Sequence, residues 1–595
     1  MGNLMTSFNA GVSGLQSAQA SLNATAHNMA NAETKGYTRQ QVMVTDSNYQ
    51  TSVGLYNNKI QVGTGTWIAM TRQVRNEFLD IQYRHQNSRL AFYEANSETA
   101  MEIEDMMGEL NGEQFSTHIN ELWQALSSVA TSADSLVDKE ELVATASRFI
   151  QSAQVLQENL ANYQMSLNTE IQRQVDNIND WVSQIRDLNE KIRKYEATGN
   201  PANDYRDQRN LLLDQLTQTV ACDVTEQVDG TIMIYSNCGY LLDEDIQYEL
   251  GVEYVSETTK LLKPIWKSTG DNFFVTDSLE YSSDNNTDLG SLRGLLVARG
   301  YFEAKFTDVP NQPKEEDYAT RLEYNLALDQ YADDVKAYNQ SIGASVVMTV
   351  QSQLDSLVHG IVSVVNDTFC PNIEVEIQNE DGTTSKVKIL DEDNALMGDD
   401  ENNTIGTELF SRRSRERYTK MENVTYTDAE GNTQTRDVYV YTEEDPSDVY
   451  TLYTLDQIVM NPTVLRDAST IPSVYNNLQD HPGGYATTEL IALANSFSES
   501  IGTLNPNSKT EYNVFNFYDG IVSQLGTTGS IWNSVIQNQE TTVNTLREER
   551  EKIMSVSTDE ELSNLIKYRQ CYNASSRYIT TVSQMLEYLI EKLGG

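Results

Sequence analysis

Apolar residues at both ends of the chain recur at the three- and four-residue spacing of a coiled-coil helix. Near the N-terminus, one column of this repeat carries large side chains and the other carries mostly small ones. The large column is Phe8, Leu15, Leu22 and Met29, and the small column is Leu4, Gly11, Ala18 and Thr25. Because a second helix can approach closely over small side chains, the pattern predicts a helix that packs tightly against a partner.

The C-terminal segment carries a second seam of the same spacing, with mostly large side chains. Ser557 with Glu560, or Thr558 with Glu561, can form a capping box at its start. The seam consists of Leu565, Tyr568, Tyr572, Ser575, Ile579, Val582, Leu586 and Leu589. These large residues would fill the hollow over the small N-terminal column. We therefore expect residues 1–34 and 556–595 to form two coiled-coil helices that pair with each other.

The N-terminal helix is also unusual in its lack of charge. Residues 1–32 contain no Asp, Glu, Lys or Arg, although charged residues make up 22% of the chain. Such a helix has more than one face suited to protein contact. The conformational entropy lost when it becomes ordered costs more free energy than the burial of one apolar seam provides. We expect both ends to be loose in the isolated chain and ordered in an assembly. The alternative is an ordinary helix packed on its own domain.

Helical spacing also dominates two blocks that lie far apart in the sequence. It runs to residue 220 and is clearest from Ile171 to Ile192, before a break at Gly199-Asn200-Pro201. It returns after residue 485. We predict a long-helix trunk formed by residues 35–220 and completed by residues 485–555, so the trunk is assembled from both halves of the chain.

The middle of the chain alternates between β and helical patterns. Val224, an Asp229-Gly230 turn and Ile232 to Ile234 predict a hairpin within a β-rich insert, residues 221–289. Residues 290–370 return to the trunk, most clearly at Leu354, Leu357, Val358, Ile361 and Val365, with 301–342 as an extra insertion.

A second β-rich insert is predicted at residues 371–484. It alternates at Ile373, Val375 and Ile377, has an Asp381-Gly382 turn, and places the valines and tyrosines of 438–441 on opposite faces. Both inserts are expected to be surface knobs. The predicted fold class is therefore α+β multidomain, with paired terminal helices, a long-helix trunk and inserted β-rich domains.

Length and charge exclude several classes of protein. The chain has 595 residues, too many for one hydrophobic core. Its net charge of −45 argues against nucleic-acid binding, which needs a basic face. No apolar run approaches the ~18 to 20 residues of a membrane span, and the N-terminus lacks the features of a secretory leader. We expect neither a nucleic-acid partner nor membrane insertion.

Reactive groups do not form recognisable motifs. His27, His85, His118, His359 and His481 occur singly, without metal-binding spacing. Cys222, Cys238, Cys370 and Cys571 include no CxxC pair; Cys222 and Cys238 could pair across a hairpin, but free thiols are favoured. The acidic runs at 391–394 and 399–403 lack calcium-loop register. We expect no catalytic residues, no cofactor and no metal, and solvated loops at the acidic runs. The basic run 412–417 is expected to pair with nearby carboxylates.

The residues that follow the N-terminal seam carry a family signature. The segment Ala30-Asn31-Ala32-Glu33-Thr34-Lys35-Gly36-Tyr37 resembles the signature of the axial proteins of the bacterial flagellum, namely rod, hook and hook-associated proteins. The following Thr-Arg-Gln is similar to the hook-associated junction proteins. Further similarity lies in Asn203 to Arg209, Gly290 to Leu296 and Tyr568 to Leu589. Residues from about 371 to 461 match nothing in that family.

This resemblance implies a structural, non-enzymatic role. It implies a secreted, extracellular subunit at the junction of hook and filament, exported unfolded by the flagellar type III apparatus with a chaperone on the C-terminal helix. It also implies a ring of about eleven copies that contacts the hook protein and a second hook-associated junction protein. The two seams would form the assembly interface. Asn31, Thr34, Gly36 and Tyr37 would set the joint between the N-terminal seam and the trunk.

Two alternatives stay open at this point. The chain could be another axial protein, either a different hook-associated protein or a hook subunit. It could also be an adhesin or a glycan-processing enzyme displayed on the flagellum, with residues 371–461 as its working domain. Cross-linking that identifies the neighbouring subunits would distinguish the hook–filament junction protein from the other axial proteins. Hydrolysis of a polysaccharide by the isolated insert would support the second alternative.

Overall fold

The computed structural model describes residues 2–53, 59–108, 115–237, 239–275, 278–378, 384–427, 433–476 and 484–593. Within these residues the predicted α+β fold class is confirmed, with long helices at both ends, a helical trunk and several inserted sheets. No described helix combines the length and apolar character needed to cross a membrane.

The chain starts with a helix and continues into two β ladders. Helix α1 (Gly2–Ala30) precedes β1 (Gln40–Asp46), which pairs with β4 (Thr66–Gln73), while β2 (Tyr49–Val53) pairs with β3 (Lys59–Gly63); all pairs are antiparallel. We call these four strands the ribbon. The prediction of a helical trunk from residue 35 is wrong for residues 40–73, because β-branched and aromatic residues there favour extended backbone.

Four helices of the trunk follow the ribbon. They are α2 (Glu77–Gly108), α3 (Phe115–Thr131), the 61-residue α4 (Leu136–Glu196) and α5 (Asn203–Thr219). The apolar residues predicted for α4 face the core, with Ile171, Ile178, Ile185 and Ile192 fully buried. The helix ends just before the Gly199-Asn200-Pro201 break, as predicted.

The first β insert packs onto α4. Strands β5 (Asp223–Glu226), β6 (Ile232–Ser236), β7 (Gly239–Asp243) and β8 (Ile246–Gln247) form one sheet, and β9 (Leu250–Tyr254) pairs with β10 (Leu262–Trp266). The predicted hairpin is confirmed, since Val224 pairs with Ile234. Ile232, Ile234 and Leu242 belong to the same hydrophobic core as the trunk helices. The expectation of a surface knob is therefore wrong for this insert, whose apolar face is completed by the trunk.

The chain then returns to the trunk. Helix α6 (Ser291–Arg299) is followed by short 3₁₀ turns at Phe306–Asp308 and Glu315–Asp317, the helix α7 (Arg321–Gln340), a turn at Ile342–Ala344, and α8 (Val346–Phe369). All five apolar residues predicted for α8 are fully buried. The extra insertion 301–342 is anchored at its end, because Tyr338 and Ile342 lie in the main core.

The second β insert divides into two parts. Strands β11 (Asn372–Gln378), β12 (Thr384–Leu390), β14 (Tyr418–Thr427) and β15 (Thr433–Tyr441) close into a four-stranded barrel. This barrel has its own small core of Val375, Ile377, Ile389, Tyr426 and Val438. Val438 is buried and Tyr439 exposed, as the alternation predicted. The predicted turn at Asp381-Gly382 lies outside the described residues.

The other part of this insert contacts the trunk. Strand β13 (Phe410–Arg412) pairs with β16 (Ile458–Met460), with a 3₁₀ turn at Val449–Thr451 before β16, and α9 (Pro462–Arg466) and a turn at Ala468–Thr470 follow. Phe410, Ile458 and Val464 join the main core. Among the described residues of this insert, those of the barrel form a core separate from the trunk.

The last part of the chain completes the trunk and ends in a long helix. Helix α10 (Thr487–Ser496) precedes a hairpin of β17 (Ser500–Thr503) and β18 (Glu511–Asn513), then α11 (Val514–Met554) and α12 (Thr558–Leu593). The prediction of trunk helices throughout 485–555 is wrong at this hairpin, where the Asn505-Pro506-Asn507 turn interrupts helical spacing. Helix α11 lies along α2, so both halves of the chain form the trunk.

A buried charge network clamps three trunk helices together. Arg550 of α11 contacts Asp80 of α2 and Asp214 of α5, and Asp214 also binds Arg84. Burial raises the pKa of Asp214, but Arg84 and Arg550 outweigh that effect and hold it below its usual range. The network joins elements more than 300 residues apart in sequence.

Replacing Arg550 therefore tests how the two halves of the chain are joined. We expect Arg550→Ala to lower the free energy of unfolding of the trunk by about 3 kcal/mol or more, because Asp80 loses a partner while buried. The measurement is the urea midpoint followed by circular dichroism. Arg547→Ala, an exposed change on the same helix, should stay within about 0.5 kcal/mol of the parent. Equal midpoints for the two variants would contradict the clamp.

Candidate functional site

The two terminal helices, α1 and α12, lie against each other; we call them the terminal pair. A Cβ atom placed on Gly11 would lie 2.8 Å from Ile579 Cγ1, and one on Gly14 would lie 3.0 Å from Ser575 Oγ. The order of these contacts shows that the helices are antiparallel. Only glycine permits the approach at position 11, since a 2.8 Å carbon–carbon contact is far inside van der Waals distance.

Burial follows the two predicted columns of α1. In the small column Gly11, Ala18 and Thr25 are buried, and Leu4 is half-buried. In the large column Phe8, Leu15 and Leu22 are half-buried and Met29 is exposed. Gly11 of the small column thus lies against α12, while the large column is partly open to solvent.

The predicted seam of α12 lies towards α1 but is incompletely covered. Val582 is buried, with 4% of its surface exposed. The other seam residues are half-buried, namely Leu565, Tyr568, Tyr572, Ser575, Ile579, Leu586 and Leu589. The structure therefore brings the two seams together without burying either of them fully.

A second face of α1 contacts the ribbon through polar side chains that the heptad analysis did not identify. The Thr66 N–H donates to Ser13 Oγ at 3.1 Å, and the Ser17 and Thr66 hydroxyls are 3.0 Å apart. Asn28 Nδ2 donates to the Gln40 carbonyl at 2.9 Å. The signal was present in the sequence as polar residues at near-helical spacing, Ser13, Ser17, Ser21, Thr25 and Asn28.

The family signature forms the turn between α1 and the ribbon. Ala30 is the last residue of α1, and Asn31 Nδ2 donates to the His27 carbonyl at 3.0 Å. The Thr34 N–H donates to the Asn31 carbonyl at 2.9 Å. Gly36 has a φ of +83°, which an L-residue with a side chain rarely adopts. The chain therefore reverses direction at residues shared with the flagellar signature.

Tyr37 fixes this turn back onto α1. Its hydroxyl donates to Asn28 Oδ1 at 2.8 Å, and its ring packs edge-on against His27. Burial, with Asp204 adding to it, raises the pKa of Tyr37 well above its usual value. The phenol therefore stays protonated and remains a donor to Asn28.

The chain passes three times between the terminal pair and the trunk, at residues 37–40, 73–75 and 554–558. We call this region the joint. The Asp207 carboxylate at the start of α5 accepts the Thr38 N–H at 3.0 Å and Gln73 Nε2 at 2.7 Å, so it holds the first two crossings. Asp207 belongs to the segment 203–209 that resembles the flagellar family.

Arg39 holds the third crossing. Its N–H donates to the Met554 carbonyl at 2.9 Å, and its guanidinium contacts Glu561 at 2.8 Å and Glu560 at 3.2 Å. Only half of the predicted capping box is present, because the Glu560 N–H donates to Ser557 Oγ while both glutamate side chains turn to Arg39. The start of α12 is thereby tied to the ribbon.

Large apolar residues remain exposed on the terminal pair. On α12 they are Leu562, Ile566, Tyr578, Met585, Tyr588 and Ile590, and on α1 they are Met5 and Met29. Tyr588 and Ile590 expose 62% and 68% of their surfaces. Large apolar side chains with this much exposed surface are available for contact with another protein.

The candidate reactive groups have structural partners. His359 lies 3.0 Å from Glu444, His27 lies 3.4 Å from Asp204, and His481 falls outside the described residues. In the basic run, Arg417 pairs with Asp367 at 2.6 Å and Arg415 with Asp448 at 3.4 Å. The Asp400 carboxylate accepts hydrogen bonds from its own loop, including the Thr404 N–H.

The cysteines and the potential metal-binding side chains that the structure describes do not cluster. Among the described residues, no three His, Cys, Asp or Glu side chains lie close enough together to hold a metal ion. Cys222, Cys370 and Cys571 are free thiols, so the suggested pairing of Cys222 is wrong; Cys238 lies outside the described residues.

Two family models match this chain. The helical domain of flagellar hook-associated protein FlgK matches residues 100–368, which include most of the trunk, and the C-terminal region of the flagellar basal body rod FlgEFG proteins matches residues 553–592, which include α12.

Curated relatives match over nearly the whole chain. Flagellar hook-associated protein 1 of Bacillus subtilis (strain 168) is 24% identical over 98% of this chain and 96% of its own length. The protein of the same name from Salmonella typhimurium is 23% identical over 98% of this chain and 99% of its own length. A solved structure titled flagellar hook junction protein FlgK from Burkholderia pseudomallei covers 80% of this chain and 100% of its own, at 14% identity and a TM-score of 0.48.

The Arg39 contacts generate a test of the joint. In the isolated chain we expect amide hydrogen exchange to be slower at 558–566 than at 575–593, because Arg39 anchors the first turns of α12. Arg39→Ala should speed exchange at 558–566 about tenfold or more, since Glu561 would be left buried without its partner. Arg569→Ala, an exposed change on the same helix, should not. Unchanged exchange in Arg39→Ala would show that the anchor lies elsewhere.

Proposed function

We propose that this chain is a member of the family of flagellar hook-associated protein 1, structural proteins of the flagellar axis, and that it is the subunit that joins hook to filament. In this role it is secreted and assembles through its terminal pair, which stacks with copies of itself and with related proteins into a tube. It acts through assembly and not through catalysis.

The observation that carries this proposal is the apolar surface of the terminal pair that remains exposed to solvent. Gly11 of the small column contacts α12, yet the large seam residues of both helices other than Val582 stay half or fully exposed. Exposed leucine, isoleucine and tyrosine side chains gain free energy when a neighbour covers them, roughly 1.5 to 3 kcal/mol for each large side chain that becomes fully buried. The predicted seam residues are therefore proposed as the assembly interface, completed by neighbouring copies.

The same surface fits the export and partners that we propose. Terminal helices that gain much of their stability only on assembly can unfold easily and pass through a narrow type III secretion channel. Before export, a chaperone would cover the exposed apolar residues of α12. After export, about eleven copies would form a ring between the hook protein and a second hook-associated junction protein, outside the cell.

The assembly interface can be tested at Gly11. We expect Gly11→Val to leave the trunk folded and to reduce incorporation into the flagellum at least tenfold, because its side chain would clash with Ile579. The measurement is motility and immunodetection of the chain in purified hook-filament complexes from a strain lacking the native copy. Asn23→Val, which adds the same residue at an exposed position of α1, is the matched control. Normal incorporation of Gly11→Val would contradict the interface.

The neighbours can be identified from the exposed apolar surface. A photoreactive phenylalanine analogue in place of Tyr588 should cross-link, in intact flagella, to another copy of this chain, the hook subunit or the second junction protein. The same analogue at Asn162, exposed on α4, serves as the comparison. Capture of filament flagellin alone at position 588 would overturn the proposed place at the junction.

A further inference from the structure

The joint holds two acidic residues of one motif in very different environments. Asp204 is exposed, with 62% of its side chain in solvent, and contacts His27 and Gln40 at the surface. Asp207, one turn later in α5, has only 6% of its surface exposed. Hydrogen bonds to a buried carboxylate are worth more than exposed ones, because water competes little for them.

Asp207 bonds to both strands by which the ribbon enters and leaves the joint. Its Oδ2 accepts the Thr38 N–H just before β1, and its Oδ1 accepts Gln73 Nε2 at the end of β4. Asn203 adds a bond from its Nδ2 to the Thr71 carbonyl at 3.0 Å. One side chain of the trunk therefore fixes both ends of the ribbon, and the ribbon in turn carries α1 through Ser13, Ser17 and Asn28.

An open cleft lies beside these bonds. The cleft has a volume of about 1140 Å³ and lies between β4 and the trunk, lined by residues that include Met70, Arg72, Ile81, Arg84 and Tyr235. Met70 and Ile81 are exposed at 51% and 60%. The ribbon thus has room to move towards the trunk if its anchor is released.

We propose that Asp207 is the positioning residue that locks the angle between the trunk and the ribbon with its terminal pair. Under the proposed function this angle sets how the terminal pair enters the tube while the trunk lies outside it. The lock itself is a property of the single chain, so it can be tested without assembly.

The lock also has a defined pH dependence. Burial raises the pKa of Asp207 to about 6, although the Thr38 N–H and the Arg75 charge oppose that shift. Asp204 adds to the shift, the Tyr37 phenol interacts electrostatically with Asp207, and His27 lies 3.4 Å from Asp204.

The difference in Asp207 pKa between the locked and the open joint decides which of them is favoured as pH changes. In an open joint Asp207 would be in water, with an ordinary pKa of ~3.9. The locked joint has the higher pKa, so it binds the proton more strongly and is favoured as pH falls. The proton-linked part of the lock is therefore complete below about pH 4, weakens as pH rises, and is lost as pH passes through about 6.

The experiment measures the distance between ribbon and trunk by pulsed electron paramagnetic resonance. Spin labels are placed at Thr45→Cys on β1 and Ser166→Cys on α4, in the full chain with its native cysteines replaced by alanine. The parent should show a distance distribution that narrows from pH 8 to pH 5. Asp207→Ala should shift or broaden the distribution at every pH, and Asp207→Asn should remove the pH dependence. Gln208→Ala, an exposed change beside Asp207 on the same helix, should behave like the parent.

Two results would overturn the lock: a distribution in Asp207→Ala identical to that of the parent, or a parent distribution that does not change with pH. A second measurement covers the case in which a variant disturbs the trunk. Amide exchange in residues 38–46 and 66–75 should rise in Asp207→Ala while exchange in 171–192 of α4 stays unchanged; a rise in α4 as well would assign Asp207 a general structural role. A failed lock leaves the junction role intact, and failed incorporation of Gly11→Val leaves the lock intact.

Discussion

The close contact between α1 and α12 over small residues is the interaction on which the rest of the structure depends. Gly11 and Gly14 let the C-terminal helix approach so closely that a side chain at position 11 would clash with Ile579. Two helices in such contact bury the small column and leave the larger side chains on the flanks. The terminal pair is therefore formed within one chain but offers apolar surface to others, which is the property a polymerising subunit needs.

Charged residues are absent from the N-terminal helix, and arginines elsewhere in the chain join separate elements. The chain carries 87 acidic and 42 basic residues, and no charged residue lies in residues 1–32. Several arginines instead join elements that are distant in sequence: Arg39 contacts Glu561, Arg550 contacts Asp80 and Asp214, and Arg209 donates to Asn189 and to the Gly230 carbonyl. Their planar guanidinium groups suit this, because each can bind several acceptors at once.

The sequence predicted those elements whose pattern repeats locally. The spacing of Ile171 to Ile192 identified α4, the Asp229-Gly230 turn identified the first hairpin, and the two seams identified the terminal helices. Periodicity reports which face of a helix is apolar, but not what covers it. For that reason the sequence did not show that Ile232 and Ile234 share the trunk core, or that residues 40–73 and 500–513 form strands between helical segments.

The joint was the least predictable part of the molecule. The signature at Asn31, Thr34, Gly36 and Tyr37 indicated a turn, and the segment 203–209 was identified by resemblance alone. Their contact depends on a backbone N–H and a carboxylate that are 169 residues apart, and such a pair has no local pattern. The burial of Asp207 makes this hydrogen bond strong, and only the three-dimensional structure shows that Asp207 is buried.

The most direct test of the central claim compares amide hydrogen exchange in the isolated chain and in assembled junctions, over residues 2–30 and 575–593. If neighbouring copies complete the terminal pair, exchange in both segments should be fast in the isolated chain and slow by about a hundredfold or more after assembly, while α4 exchanges alike in both states. Strong protection of both segments in the isolated chain, unchanged by assembly, would contradict the account.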